Sequence, residues 1–330
     1  MSANDSKIFK VGITSDVLMS NGEPIFGQEV FDILNQPGLE WEFMDAHPEI
    51  LPEHVARYDA ICAMLTRLTP ASLLTAQPRL KLIARFGVGY DTIDLGSCKK
   101  AGILLTIAPD GVRRPVAVSA ITFMLMLAHK VGIKDRLTRS GRWVEKSDHI
   151  GTGLTGRVLG SIGVGNIGAE MFRLARPFDM HFIAHDPYAD PALMASLGVE
   201  LVDMETLFAR ADFLTVNCPL NDKTKGLVDA RLLALMKKTA YVINTARGPI
   251  VDESALYAAL VSHQIAGAGL DVFEVEPTPA DNPLLQLDNV VVTPHGICFT
   301  DECMQALAAS AFRAVVDVMQ GRKPPYVVAT

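Results

Sequence analysis

The sequence predicts an α/β protein built from two doubly wound domains. Three observations lead there. The chain has 330 residues, more than one hydrophobic core comfortably serves. Short runs of branched apolar residues alternate with helix-like segments along most of its length. A glycine-rich turn, Gly163-Val164-Gly165-Asn166-Ile167-Gly168, joins one such run to one such segment. A cleft between two domains is then the expected place for an active site.

In the first part, Ile8 to Ile13, Ala60 to Leu65, Leu80 to Ala84 and Ile103 to Ile107 read as strands, with helix-like stretches such as Pro70 to Ala76 between them. The turn-rich Ala108-Pro109-Asp110-Gly111 leads to a long helix expected from about Pro115 to Lys130, the proline sitting in its first turn. Its apolar faces imply burial, and a subunit interface is one place for it. From Arg157 the alternation is more regular: Val158 to Val164, His181 to His185, Phe213 to Val216, Tyr241 to Asn244, Ala268 to Val272 and Val290 to Val292 read as six strands of a dinucleotide-binding fold. The closing segment, Asp301 to Met319, is helical and too short to be a domain. It is expected to pack back on the first part, which makes that domain discontinuous.

Composition narrows the function. A net charge of -7 gives a mildly acidic surface, which argues against a nucleic-acid partner. The start, Met1 to Ser6, lacks the basic and apolar regions of a secretory signal, so a cytoplasmic location is expected. The most apolar stretch, Val116 to Ala128, falls short of the roughly 20 residues that cross a bilayer, so no membrane partner is expected. The five cysteines, Cys62, Cys98, Cys218, Cys298 and Cys303, have no metal-ligand spacing. They read as reduced thiols, and no metal is expected.

The glycine turn has the setting that dinucleotide binding requires, a strand before and a helix after. Gly163 would make the tight turn, Gly165 would let the backbone approach a pyrophosphate, and Gly168 would let helix and strand pack closely, with Asn166 and Ile167 opening the helix. Eighteen positions after Gly168, Asp186 ends the run His181 to His185. An acidic residue there accepts hydrogen bonds from ribose hydroxyls and repels a 2′-phosphate, so NAD is expected over NADP.

Reduction of a 2-oxo acid needs a cation for the carboxylate and the carbonyl, and a proton donor beside the new alkoxide. Candidates belong at the C-terminal ends of strands. Arg247 follows one, Asp271, Glu274 and Glu276 follow the next, and His295 follows the last.

Five segments together resemble the D-isomer-specific 2-hydroxyacid dehydrogenases: Arg85 to Asp94, the glycine turn, Asn244-Thr245-Ala246-Arg247-Gly248, Asp271 to Pro277, and Thr293-Pro294-His295. They occur in the family's order, and the likeness runs from about residue 8 to 327. The resemblance implies a homodimer formed through the cofactor domain. It also implies an NAD-binding Rossmann domain, residues 108-295, inserted into a flavodoxin-like substrate domain, residues 1-107 and 296-330. It assigns Arg247 to the substrate carboxylate and C2 oxygen, His295 to proton donation, and Glu276 to orienting His295 and favouring its charged form. Asp271 would lie near the nicotinamide carboxamide and Glu274 on the surface. Val88 and Gly89 would present backbone N–H groups to the carboxylate, while Cys218, Pro219, Thr224, Thr245 and Ala246 would line the nicotinamide side. Arg67 falls in a first-domain loop that often faces substrate.

The chain also departs from the family. Arg113 and Arg114 stand where the long helix is entered, either to meet a second anionic group of the substrate or as solvated helix-start residues. Gly296 to Thr300 differs from the usual small-residue run, so pocket shape does not transfer. The function implied is hydride transfer between NAD and C2 of a small 2-hydroxy or 2-oxo acid. The alternatives are an NADPH-preferring glyoxylate or hydroxypyruvate reductase, a formate- or phosphite-oxidising relative, and an NAD-sensing binding protein.

Overall fold

In a computed structural model that describes residues 8–75 and 79–328, the branched runs pair into two separate all-parallel sheets. The first holds β1 (Phe9–Ile13), β2 (Leu39–Phe43), β3 (Ala60–Ala63), β4 (Leu82–Arg85) and β5 (Leu104–Thr106) in the order β2-β1-β3-β4-β5. The second holds β6 (Val158–Ile162), β7 (His181–His185), β8 (Val199–Leu201), β9 (Phe213–Val216), β10 (Tyr241–Asn244), β11 (Gly267–Leu270) and β12 (Val290–Val292). Its order is β12-β11-β10-β9-β6-β7-β8. The two orders are those of flavodoxin-like and Rossmann sheets, the second with one strand added. The expected fold class is the one observed. The described residues form two compact units, one running up to Val112 and resuming at Phe299, the other spanning Arg113–Cys298.

Two strands differ from expectation, and both are sheet edges. β2, with the sequence LEWEF, is never fully buried, and its glutamates interrupt the apolar run. β8 has only three residues. Edge strands tolerate charge and brevity because one side faces solvent. The helix expected to end at Ala76 is observed over Pro70–Leu73, and Ala76 lies outside the described residues.

The long helix spans Pro109–Ala128, so Pro109 opens it and Pro115 lies inside it. Pro115 has no N–H to give to residue 111, which costs one helical hydrogen bond. The earlier start makes the helix 20 residues long with a mean hydropathy of 1.3, enough by length and composition to cross a membrane. Burial explains that composition. Ala117, Ala120, Phe123 and Met124 are enclosed in the core of the second unit, and Gly269 of β11 lacks a Cβ where Phe123 presses, 2.8 Å away. A second helix, Val131–Arg139, buries only Leu137, so the sequence shows little apolar periodicity there. The closing helix, Asp301–Met319, belongs to the first unit, with Phe312 packed among Phe26, Phe31 and Phe86.

Both sheets use the same anchor at the edge where their strands begin. Asp59, just before β3, donates its N–H to Lys10 O (2.8 Å) and accepts Lys10 N–H on Oδ2 (3.0 Å). Asp212, just before β9, does the same with Val158 (2.9 and 2.8 Å). Each carboxylate is nearly inaccessible and paired with cations: Asp59 with Arg79 (2.6 Å) and Lys81 (3.4 Å), Asp212 with Lys237 (3.0 Å). Burial pushes the Asp59 carboxyl up, but the Arg79 hydrogen bond, the Lys10 N–H and the neighbouring charges hold it below its ordinary value. A carboxyl with a depressed folded value stabilises fully above its unfolded range, and that stability is lost as pH falls through the folded one. Asp59→Asn is expected to cost about 1.5–3 kcal/mol, the worth of charged hydrogen bonds, and to flatten the acid limb of the stability profile. Urea unfolding at neutral and acid pH measures both, and an unchanged midpoint overturns the anchor role.

Candidate active site

The cofactor end of the second unit is built from the three glycines, each in a different steric situation. Gly163 adopts φ +86°, and a Cβ there would lie 3.0 Å from Cys218 N and 3.1 Å from the Asn217 carbonyl. A Cβ on Gly168 would meet Gly163 O at 2.9 Å, so its absence lets the helix Asn166–Ala175 press onto β6. A Cβ on Gly165 would meet nothing within 4 Å, leaving open space at the helix N-terminus. Gly165 and Asn166 are exposed and Ile167 is half-buried. A polar string sequence reasoning missed fixes the turn from inside: Ser161 donates to Gly163 O (2.6 Å), and Asn217 donates to Ser161 and Thr215. Its signal was the presence of Ser161 and Thr215 in otherwise apolar strands.

Asp186, at the end of β7, accepts Val164 N–H on Oδ2 and Tyr188 N–H on Oδ1, both at 2.8 Å. It therefore shapes the glycine turn, and each oxygen keeps a further lone pair. Burial pushes the Cys218 thiol up to about 11, so it stays neutral. In the same loop, Thr224 donates to Pro219 O (2.6 Å) and accepts Asn221 N–H (2.8 Å), which pins the backbone.

The reactive end lies beyond β10, β11 and β12. Buried Asn244 donates to Arg247 O (2.9 Å) and accepts Ala246 N–H (3.0 Å), so Thr245 to Arg247 wrap around its amide. Gly248 permits this turn to sit on the next loop, since a Cβ there would fall 1.9 Å from the Phe273 carbonyl. Arg247 is half-buried and donates to Ala246 O (2.7 Å). Glu276 accepts Phe273 N–H on Oε1 (2.9 Å) and meets His295 Nδ1 with Oε2 at 2.7 Å. Burial raises the Glu276 carboxyl, but the His295 hydrogen bond and charge, the Phe273 N–H and the Arg247 charge hold it net below the ordinary carboxylate range. Glu274 is exposed and exchanges hydrogen bonds with Glu253.

His295 has φ +50°, a left-handed conformation uncommon outside glycine. The buried Asp271 enforces it. Its backbone oxygen accepts His295 N–H (2.7 Å), and its Oδ1 accepts Thr293 Oγ1–H (2.6 Å), Gly296 N–H (2.9 Å) and Ile297 N–H (3.1 Å).

In the first unit, buried Arg85 donates from Nε to Gly89 O (2.7 Å) and supports the turn after β4, where Gly87 has φ +146°. Among the described residues, no backbone group accepts the N–H of Val88 or Gly89. Arg67 is exposed, and its backbone pairs with Pro48 and Ile50. Of the two arginines that depart from the family, both lie within the long helix. Arg114 is held by Glu170 at 3.0 Å and Arg113 is exposed.

A Rossmann sheet with this glycine turn and a histidine–carboxylate pair defines a dinucleotide-dependent oxidoreductase scaffold. Residues 121–296 match the family model for the NAD binding domain of D-isomer specific 2-hydroxyacid dehydrogenases. The chain is 37% identical over 300 residues to a D-3-phosphoglycerate dehydrogenase of Archaeoglobus fulgidus, covering 91% of this chain and 56% of that one. It is 37% identical over 284 residues to a glyoxylate reductase of Korarchaeum cryptofilum, covering 85% of each. Among solved structures, D-lactate dehydrogenase from Aquifex aeolicus, complexed with NAD and lactic acid, is similar with a TM-score of 0.81 at 28% identity, over 94% of this chain and 96% of that chain. The chain thus spans about half the length of the phosphoglycerate dehydrogenase it matches. It belongs to the D-isomer-specific 2-hydroxyacid dehydrogenase family.

The unequal surroundings of the glycines set a test. Gly165→Ala is expected to leave stability within about 0.5 kcal/mol yet weaken NADH binding, because its methyl projects into open space. Gly168→Ala is expected to cost about 1–3 kcal/mol of stability through overpacking. Thermal unfolding and NADH fluorescence titration separate the two, and equal stability losses would contradict the steric assignment.

Proposed function

We propose that this chain interconverts a small 2-oxo acid and its 2-hydroxy acid with NADH and NAD. The observation that carries the reading is the 2.7 Å pairing of His295 Nδ1 with Glu276, on a histidine whose backbone is locked by Asp271. The residues fit a dinucleotide: open space at Gly165 and the helix N-terminus suit a pyrophosphate, and the spare lone pairs of Asp186 suit ribose hydroxyls. When bound, the nicotinamide supplies or takes up the hydride at C2.

Every other part of the reaction falls to side chains and backbone. With Nδ1 engaged by Glu276, Nε2 is the ring nitrogen of His295 left to give its proton to the C2 oxygen during reduction and to take it back during oxidation. Glu276, ionised through the neutral range, stabilises the charged ring that proton donation requires. Arg247 offers a planar fork for the substrate carboxylate and the C2 oxygen. Val88 and Gly89 offer two N–H donors to an anion. Asp271 would accept from the carboxamide, Thr245, Ala246, Cys218, Pro219 and Thr224 would wall the nicotinamide side, and Arg67 is the cation of the first unit assigned to substrate.

We also infer a homodimer through the cofactor domain, in the cytoplasm. The segment after the long helix leaves Trp143, Val144 and Ile150 exposed, Val144 at 92%, and adjacent apolar side chains of that size suit a partner surface. A solution mass equal to that of one chain would refute it.

The direct test is a panel of 2-oxo acids assayed with NADH and NADPH. NADH is expected to be the better reductant, because the Asp186 carboxylate repels a 2′-phosphate. Equal efficiency with both overturns the ribose assignment, and no turnover with either favours a binding protein.

His295→Ala is expected to slow reduction by about 10²–10⁴-fold while NADH binding survives. The double variant His295→Ala/Glu276→Gln is expected to lose far less than the product of the two single losses, since an orienting carboxylate has nothing to orient without the histidine. Pre-steady-state measurements on the single and double variants decide this, and multiplicative losses reject the pairing as an acid–base unit.

A further inference from the structure

Beyond the closing helix the chain turns back along the first sheet. Gly321, at φ +71°, follows the helix end, and Arg322 donates to Asp317 from Nε (2.8 Å) and Nη2 (2.6 Å), which fixes the direction of exit. Val327 then bridges Thr106 in the antiparallel sense, and Val328 donates its N–H to Leu105 O (2.9 Å). The tail is thereby tied to β5, the edge strand of the sheet.

Tyr326 stands at the start of this tie with a left-handed backbone, φ +56°. A bulky residue rarely adopts that conformation, and it persists only where its surroundings over-determine it. Here the Tyr326 carbonyl accepts Ile107 N–H (3.2 Å), and its hydroxyl donates to Asp110 Oδ2. Both partners belong to the segment that leads from β5 into the long helix, and Ala108 lies between them. Ala108 is buried, and its N–H donates to Gly87 O (2.9 Å), in the turn that carries the Val88 and Gly89 donors. One aromatic residue therefore grips residues 107–110 on either side of the N–H that braces this turn. The same segment is seated closely on the closing helix, since a Cβ on Gly111 would lie 3.0 Å from Leu307 Cδ2 and 3.1 Å from Leu307 N. An anion held by successive backbone N–H groups needs them aimed together, so a shift of Gly87 weakens both bonds at once.

We propose that Tyr326 is a positioning residue for the substrate carboxylate: by holding residues 107–110 it keeps the Ala108 N–H on Gly87 O, and with it the Val88 and Gly89 donors in place. This rests on the 2-oxo acid reading above and adds a residue to its substrate side. Tyr326 acts through Ala108 and the backbone of the turn.

The test compares Tyr326→Phe, Asp110→Ala, Asp110→Asn and the double variant Tyr326→Phe/Asp110→Ala with the unmodified chain. The readouts are KM and kcat at saturating NADH for the best-reduced 2-oxo acid of the panel above, NADH affinity by fluorescence, thermal unfolding, and hydrogen–deuterium exchange of residues 86–89. Tyr326→Phe removes only the hydroxyl and is expected to raise KM by about two- to tenfold, the worth of one net hydrogen bond. The turn is expected to exchange faster, with kcat and NADH affinity held. Asp110→Ala is expected to match it, and the double variant to be no worse than either single one, because both remove the same contact. Asp110→Asn keeps an acceptor for the hydroxyl and is expected to stay near the unmodified chain. A merely structural role lowers the melting temperature and the active fraction and leaves KM alone. An unmoved KM, unmoved exchange in residues 86–89, or losses that multiply in the double variant overturn the positioning role while leaving 2-oxo acid reduction standing. Reduction of no acid by the unmodified chain overturns the 2-oxo acid reading, and exchange then decides by itself whether Tyr326 braces the turn.

Discussion

One buried carboxylate holds the reactive end of the cofactor unit together. Asp271 donates its N–H to Asn244 O (3.0 Å), receives the His295 N–H on its backbone oxygen, and collects three donors from the 293–297 segment on Oδ1. Thereby the turn bearing Arg247, the loop bearing Glu276 and the loop bearing His295 are referred to one residue. Such concentration is effective because a buried carboxylate that accepts several hydrogen bonds is costly to displace. The left-handed backbone of His295 is strained on its own and persists because its surroundings over-determine it.

The consequence is a histidine whose ring is aimed by packing before any ligand arrives. Glu276 then has a fixed target, and the 2.7 Å contact needs little reorganisation to function. Gly248 plays the complementary part. By omitting a side chain it lets two loops touch where any other residue would hold them apart, which keeps the Arg247 charge close enough to act on Glu276.

Much of this frame is legible in the sequence. β7, β9, β10, β12 and the closing helix lie where the apolar runs place them, and for β7, β9 and β10 the reason is that buried parallel strands carry near-continuous apolar runs. The glycine turn is legible because its three glycines answer three different steric demands. What the sequence does not display are devices that depend on residues far apart. Nothing in local pattern marks Tyr326 as the grip on residues 107–110, Asp271 as the brace of His295, or Asn244 as the former of the arginine turn, since each works through backbone atoms of other segments. Edge strands escape notice for the opposite reason: β2 and β8 are not buried enough to need an apolar run. The helix start at Pro109 is hidden by Pro115, a residue that commonly begins a helix and here sits within one.

The matched anchors Asp59 and Asp212 bear on how such a protein can change over time. Each sheet is riveted at the edge where its strands begin, by a charge that touches none of the loops at the opposite edge. Loops at that far edge are therefore relieved of holding the sheet in register. A lineage can exchange one loop for another and so try new substrates on an unaltered chassis. Relatives named for glyoxylate and for phosphoglycerate are what such a division of labour between two ends of a sheet allows to accumulate.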